Sequence, residues 1–96
     1  MAYKIKILDR AQEEINDAYL YYSKFSFSAL KHFDDELDEV YSRLEQNPKF
    51  QIRYINLRAL PFKTLPYLVF FLIDENEKIV RIYSVFNTFQ NPEKYP

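Results

Sequence analysis

The stretch Leu65-Pro66-Tyr67-Leu68-Val69-Phe70-Phe71-Leu72-Ile73-Asp74 decides how the chain folds. Pro66 opens it and Asp74-Glu75-Asn76-Glu77 closes it. Its apolar run is well short of the ~20 residues a bilayer-spanning helix needs. Val, Ile and aromatic side chains suit a pleated surface. Alternation along a strand sends Tyr67, Val69, Phe71 and Ile73 to one face and Leu68, Phe70 and Leu72 to the other. Both sets are apolar, which predicts a central strand with both faces at least partly covered. The remaining chain has to supply its neighbours and its cover.

Working outward, Tyr3 to Leu8 alternates, with Tyr3, Ile5 and Ile7 on one face and Lys4 and Lys6 on the other, as in a half-buried strand. Asp9 and Gln12 have the spacing of a capping box. Ala11, Ile15, Ala18, Tyr19 and Tyr22 then recur at helical spacing, predicting an amphipathic helix over 10–24. Phe25-Ser26-Phe27-Ser28 breaks that pattern and offers two Ser caps for a second helix. Phe33, Leu37, Val40, Tyr41 and Leu44 form the second helix's stripe, and Asn47-Pro48 ends it. The short link predicts an antiparallel helical hairpin. After it, residues 49–62 alternate imperfectly, so a loop or bulge is expected before a strand over 55–62. Pro61 cannot donate to a ladder. Lys63-Thr64 turns into the central stretch. The last strand, 78–86, would place Val80, Ile82 and Phe86 on one face and Arg81, Tyr83 and Val85 on the other. The order is β-α-α-β-β-β, an α+β layer with a helical hairpin on a small, mostly antiparallel sheet.

Composition narrows the function. Ninety-six residues, 48% hydrophobic with nine Tyr and nine Phe, suffice for one core and predict a single domain over 1–96. The alternating N-terminus does not read as a signal peptide, and no transmembrane segment is expected. Without Cys there is no disulfide, thiolate metal site or Cys nucleophile, which fits a reducing cytoplasm. Without Gly no phosphate-cradling loop is possible, and turns needing positive φ must use Asn or Asp. The net charge of −1 divides unevenly: residues 1–48 hold six Lys/Arg against ten Asp/Glu, and residues 49–96 hold seven against four. A local anion-binding face in the second half is compatible with that division; a general nucleic-acid coat is not.

Candidate chemistry follows from these residues. His32, the one His, lies beside an acidic helix face and reads as a surface residue. Asp34, Asp35, Glu36, Asp38 and Glu39 lack a His or Cys at ligand spacing and read as a solvated face, so neither a metal nor a cofactor is expected. Most Tyr residues fall on apolar stripes, whereas Tyr95 lies outside them. Arg53, Arg58, Lys63 and Arg81 belong to neighbouring strands, and cations converging on one sheet face could bind a phosphate backbone or an acidic partner segment.

The β-α-α-β-β-β order, the helix ending Leu44-Glu45-Gln46-Asn47-Pro48, Arg58 followed by Lys63-Thr64-Leu65-Pro66-Tyr67-Leu68-Val69-Phe70-Phe71, and the segment Ile82-Tyr83-Ser84-Val85-Phe86-Asn87-Thr88-Phe89-Gln90-Asn91-Pro92-Glu93-Lys94-Tyr95 together resemble the RelE/ParE family of bacterial type II toxins. The resemblance covers nearly the whole chain. It implies a small cytoplasmic, growth-inhibiting toxin held in a hetero-oligomer by a cognate antitoxin. Some members of the family cleave mRNA on the ribosome without a metal, and others inhibit DNA gyrase. The resemblance would make Arg58, Lys63, Arg81 and Tyr95 the catalytic set of a ribonuclease and Arg53, Asn87 and Gln90 target-binding residues. A His commonly stands in such members where Asn87 stands, and an Arg where Gln90 stands. Asn and Gln donate and accept hydrogen bonds but exchange no proton. Those two departures favour inhibition by protein binding, with RNA cleavage or a toxin reduced to its antitoxin interface as alternatives. If one face of the central strand is left uncovered by the helices, that face is the first place to expect the antitoxin.

Overall fold

The computed structural model describes residues 3–50, 52–54, 56–90, 93 and 95, with residues 52–54 described through their backbone alone. The chain runs β1 (Lys4–Ile7), α1 (Asp9–Ser23), α2 (Phe27–Gln46), β2 (Ile52–Tyr54), β3 (Leu57–Pro61), β4 (Tyr67–Asp74) and β5 (Ile79–Asn87). Among the described residues the strands form one sheet in the order β1-β5-β4-β3-β2. β1 pairs parallel to β5, and the remaining pairs are antiparallel. This is the α+β arrangement expected, with one addition. β2 lies where a loop or bulge was expected, and its pairing with β3 is irregular between Ile52 and Tyr54.

The helix ends follow local chemistry in two places and depart from it in a third. Ser26 caps α2, its hydroxyl accepting from the Ala29 N–H at 3.0 Å. Asn47 is extended ahead of Pro48, as the ring of the proline requires. The capping box at Asp9 does not form. Leu8 is the N-cap residue, without a side-chain cap, and Gln12 Nε2 donates to Asn16 Oδ1 instead. Asp9 becomes the first helical residue, where its charge still suits the helix dipole.

The hairpin α1–α2 covers one face of the sheet. Ala11, Ile15, Ala18, Phe33, Leu37, Val40 and Leu44 meet Tyr67, Val69, Phe71, Val80, Ile82 and Val85 in the main core. The alternate residues of β4 face away, and Phe70 joins Leu57, Ala59 and Phe86 in a second cluster on which Tyr95 packs. The Tyr95 ring lies 5.0 Å from that of Phe70 and 4.8 Å from that of Phe86. The centre of this face is thus buried, so both faces of the central strand are covered as expected and neither is left open for the antitoxin. The exposed apolar side chains Leu20, Phe25 and Phe27 lie instead at the closed end of the hairpin, with Phe27 78% exposed.

Two further expectations need correction. Phe71 opposes Ile82 while Phe70 opposes Ser84, so Tyr83 is an extra residue in β5. The bulge reverses the faces beyond it: Val85 enters the main core and Phe86 the second cluster, opposite to strict alternation. Among the described residues positive φ falls on Lys78, at 55°, and not on Asn or Asp. Lys78 is held there by Glu75, 3.2 Å from its Nζ, and by the Tyr3 ring, 5.2 Å away.

Candidate functional site

The register disperses the cations that neighbouring strands seemed to gather. Arg58 opposes Phe71 on the side of the sheet facing the helices. Its guanidinium donates to the Phe50 carbonyl. Arg81 opposes Leu72 on the other side, where its Nη1 lies 2.9 Å from Asp74 Oδ2. That contact, with the N–H of Glu77, holds the Asp74 carboxyl below its ordinary range. Lys63 is exposed in the β3–β4 turn, and Tyr95 packs in the second cluster. Arg53 is on β2, and its side chain lies outside the described residues. The expectation that these groups converge on one face is therefore corrected for Arg58 and Arg81, which occupy opposite faces.

Asn87 and Gln90 do come together, and the bulge explains where. At the bulge the hydroxyl of Ser84 and the N–H of Val85 both donate to Glu14 Oε1 of α1, at 2.7 and 3.0 Å. That carboxylate fastens α1 to β5. Beyond it β5 ends at Asn87, opposite Tyr67, and the chain turns: Asn87 Oδ1 accepts the Phe89 N–H at 2.9 Å, and Thr88 N–H donates to the Pro66 carbonyl at 2.8 Å. Between this turn and α1 lies a cavity of about 340 Å³, with Glu14, Asp17, Tyr21 and Tyr22 on one wall and Tyr67, Asn87, Phe89 and Gln90 on the other. Burial, and then a hydrogen bond shared with Tyr22, push the Tyr67 hydroxyl well up, so it stays neutral. Phe89 is 86% exposed at the mouth.

The helix wall was not singled out from sequence, although a signal was present. Glu14, Asp17 and Tyr21 stand at i, i+3 and i+7, a second flank beside the apolar stripe. The pairing of that flank with the Asn87–Gln90 turn depends on the sheet register and could not be read locally.

A second polar cluster has the residue types of a hydrolytic triad without its geometry. His32 Nε2 faces both Glu36 Oε2, at 2.9 Å, and Thr64 Oγ1, at 3.0 Å. A triad needs the two ring nitrogens on different partners. The Glu36 carboxylate also accepts the Thr64 hydroxyl and, at 3.1 Å each, the N–H groups of Thr64 and Leu65. Burial alone would raise the Glu36 carboxyl, but these bonds and His32 hold it at about 2. The reading of Glu36 as part of a solvated face is corrected: it is buried and ties α2 to the β3–β4 turn.

Comparisons with known proteins agree on the architecture. A chain of the chromosomal ParDE toxin–antitoxin system of P. aeruginosa superposes with a TM-score of 0.75 at 17% identity, over 90% of this chain and 96% of that one. The E. coli toxin RelE, as a mutant in the free state, superposes with a TM-score of 0.60 at 15% identity, over 88% of this chain and 82% of its own. No curated protein matches the sequence. Residues 5–92 match the family model of the ParE toxin of the type II toxin–antitoxin system, parDE. With nearly its whole length in that match, the chain belongs to the ParE toxin family.

Proposed function

We propose that this ParE-family toxin arrests growth by binding a protein target, DNA gyrase in the reading favoured here, and that a cognate antitoxin neutralises it. The observation carrying this reading is the division of its charged groups. Arg58 and Arg81 stand on opposite faces of the sheet, each bonded within the chain. Asn87 and Gln90, where proton-exchanging or cationic side chains would serve RNA cleavage, line a cavity flanked by two carboxylates. Carboxylates beside a scissile phosphate oppose the charge that builds there. For the antitoxin, the exposed Phe25 and Phe27 at the tip of the hairpin offer apolar contact surface.

Production of the chain alone should arrest growth, and co-production of its cognate antitoxin should relieve the arrest. The purified toxin should inhibit plasmid supercoiling by gyrase. New mRNA ends on translated messages, with supercoiling unaffected, would replace this reading with ribosome-dependent cleavage through Arg58, Lys63, Arg81 and Tyr95. Normal growth at confirmed high expression would remove the toxin activity altogether.

A further inference from the structure

We propose that the cavity between α1 and the Asn87–Gln90 turn receives an arginine side chain of the target protein. The inference rests on the reading that the chain acts by binding a protein, and it specifies what that protein must present.

Charge is the first argument. Glu14 and Asp17 flank the cavity. Glu14 is occupied by Ser84, Val85 and, at 3.4 Å, Arg10. Among the described residues the Asp17 carboxylate takes part in no hydrogen bond or ion pair, and it is exposed on α1. An anion entering here meets two like charges, whereas a cation meets an available partner. The second argument is the aromatic wall. The rings of Tyr21 and Tyr22 stand 5.1 Å apart at 81°, so they present a face and an edge, and Phe89 offers a third ring at the mouth. Rings so placed attract a cation through their quadrupoles. Arginine fits better than lysine, because a planar guanidinium stacks on a ring while its N–H groups remain free in the plane. The third argument is the polar end. The side-chain oxygens of Asn87 and Gln90 are acceptors for those N–H groups, and the Asn87 oxygen keeps a lone pair beside its bond to Phe89. The size agrees: about 340 Å³ is at the low end of the ~300–1,000 Å³ of ligand pockets, which suits one long side chain.

The test is titration of the purified full-length toxin with argininamide, followed by amide ¹H–¹⁵N spectra. Saturable shifts are expected at Asp17, Tyr21, Asn87 and Gln90, with norleucinamide leaving the same signals in place. Asp17→Asn should weaken argininamide binding about two- to fivefold, the loss of one exposed ion pair. Phe89→Ala should weaken it without touching the charge. Both positions are exposed, so both variants keep the fold. Absence of shifts, or equal shifts with norleucinamide or inorganic phosphate, overturns the assignment. In cells Asp17→Asn should show reduced growth arrest at matched expression and still be captured by the antitoxin. Full arrest by that variant overturns the role of the cavity, and loss of antitoxin capture would transfer the arginine to the antitoxin. The two readings fail separately: a wild-type chain that binds argininamide and does not arrest growth keeps the ligand of the cavity and loses the target.

Discussion

Glu36 keeps a carboxylate 7% exposed at the junction of α2 and the β3–β4 turn, where burial by itself would favour the protonated form. Two backbone N–H groups and the Thr64 hydroxyl decide the outcome in favour of the charge. Its position beside the apolar stripe was legible: Phe33, Glu36, Leu37 and Val40 share one side of a helix. Its partners were not, because they lie 28 and 29 residues away and no local pattern points to them. Glu36→Gln keeps the shape and loses the charge, so it should cost about 1.5–3 kcal/mol of unfolding free energy, the range for hydrogen bonds to a charged group. Urea unfolding at neutral pH measures it. The same group sets an acid limb. The folded carboxyl is held at about 2, against an ordinary value of 4.5, so the unfolded chain takes up the proton first. Its stabilisation is complete above the ordinary value and is lost as pH falls towards the folded one. Thermal unfolding between those two pH values should show a steeper decline in the parent than in the Gln variant, which keeps only the contribution of carboxyls such as Asp74.

At the scale of elements, the existence and order of the two helices and the main strands followed from periodicity, Ser26 and Pro48, whereas the face assignments after the bulge did not. Strict alternation put Phe86 with Val80 and Ile82, and one extra residue, Tyr83, sends it to the other face. A bulge leaves no composition signal in a strand without Gly. The extra residue also presents Ser84 and Val85 to Glu14, and so fixes α1 on β5 next to the cavity. Deleting Tyr83 would remove the bulge and leave a regular ladder in which Ile82 and Val85, then two residues apart, still share the core face; what changes is the presentation of Ser84 and Val85 to Glu14. Tyr83→Ala only trims a half-buried ring and should cost at most about 1–2 kcal/mol, an ordinary point-mutant effect. The deletion should lower the thermal midpoint further, through loss of the two bonds to Glu14, with the transition still cooperative. Circular dichroism melts of the two variants, compared directly, check the difference. Similar melts would mean that Glu14 keeps its partners without the bulge and that the bulge is not what positions the cavity.

For the whole molecule, the sheet separates two sets of groups that looked adjacent along the strands. A fold order of β-α-α-β-β-β brings β3 and β5 to either side of β4, and nothing short of the register says that Arg58 faces the helices while Arg81 faces away. The site was legible only as far as the turn carrying Asn87 and Gln90; the wall opposite came from α1, some seventy residues earlier in the chain. This separation gives the test that divides the two modes of action. The double variant Arg58→Ala, Arg81→Ala removes one cation from each face. Arg58→Ala leaves the Phe50 carbonyl without its donor, worth about 1–3 kcal/mol if that carbonyl stays buried. Arg81→Ala breaks an ion pair with Asp74 at the sheet surface, where solvent screening leaves it little strength. A folded protein with a lowered midpoint is therefore expected, and a melt establishes that before any assay of function. If the toxin acts through the cavity on α1, growth arrest and gyrase inhibition survive the double substitution once expression is matched. If it cleaves RNA, both cations are needed near one phosphate, and arrest disappears while the melt stays cooperative. The latter result would require the two faces to be brought to a common substrate around the edge of the sheet, and would remove the cavity from the mechanism.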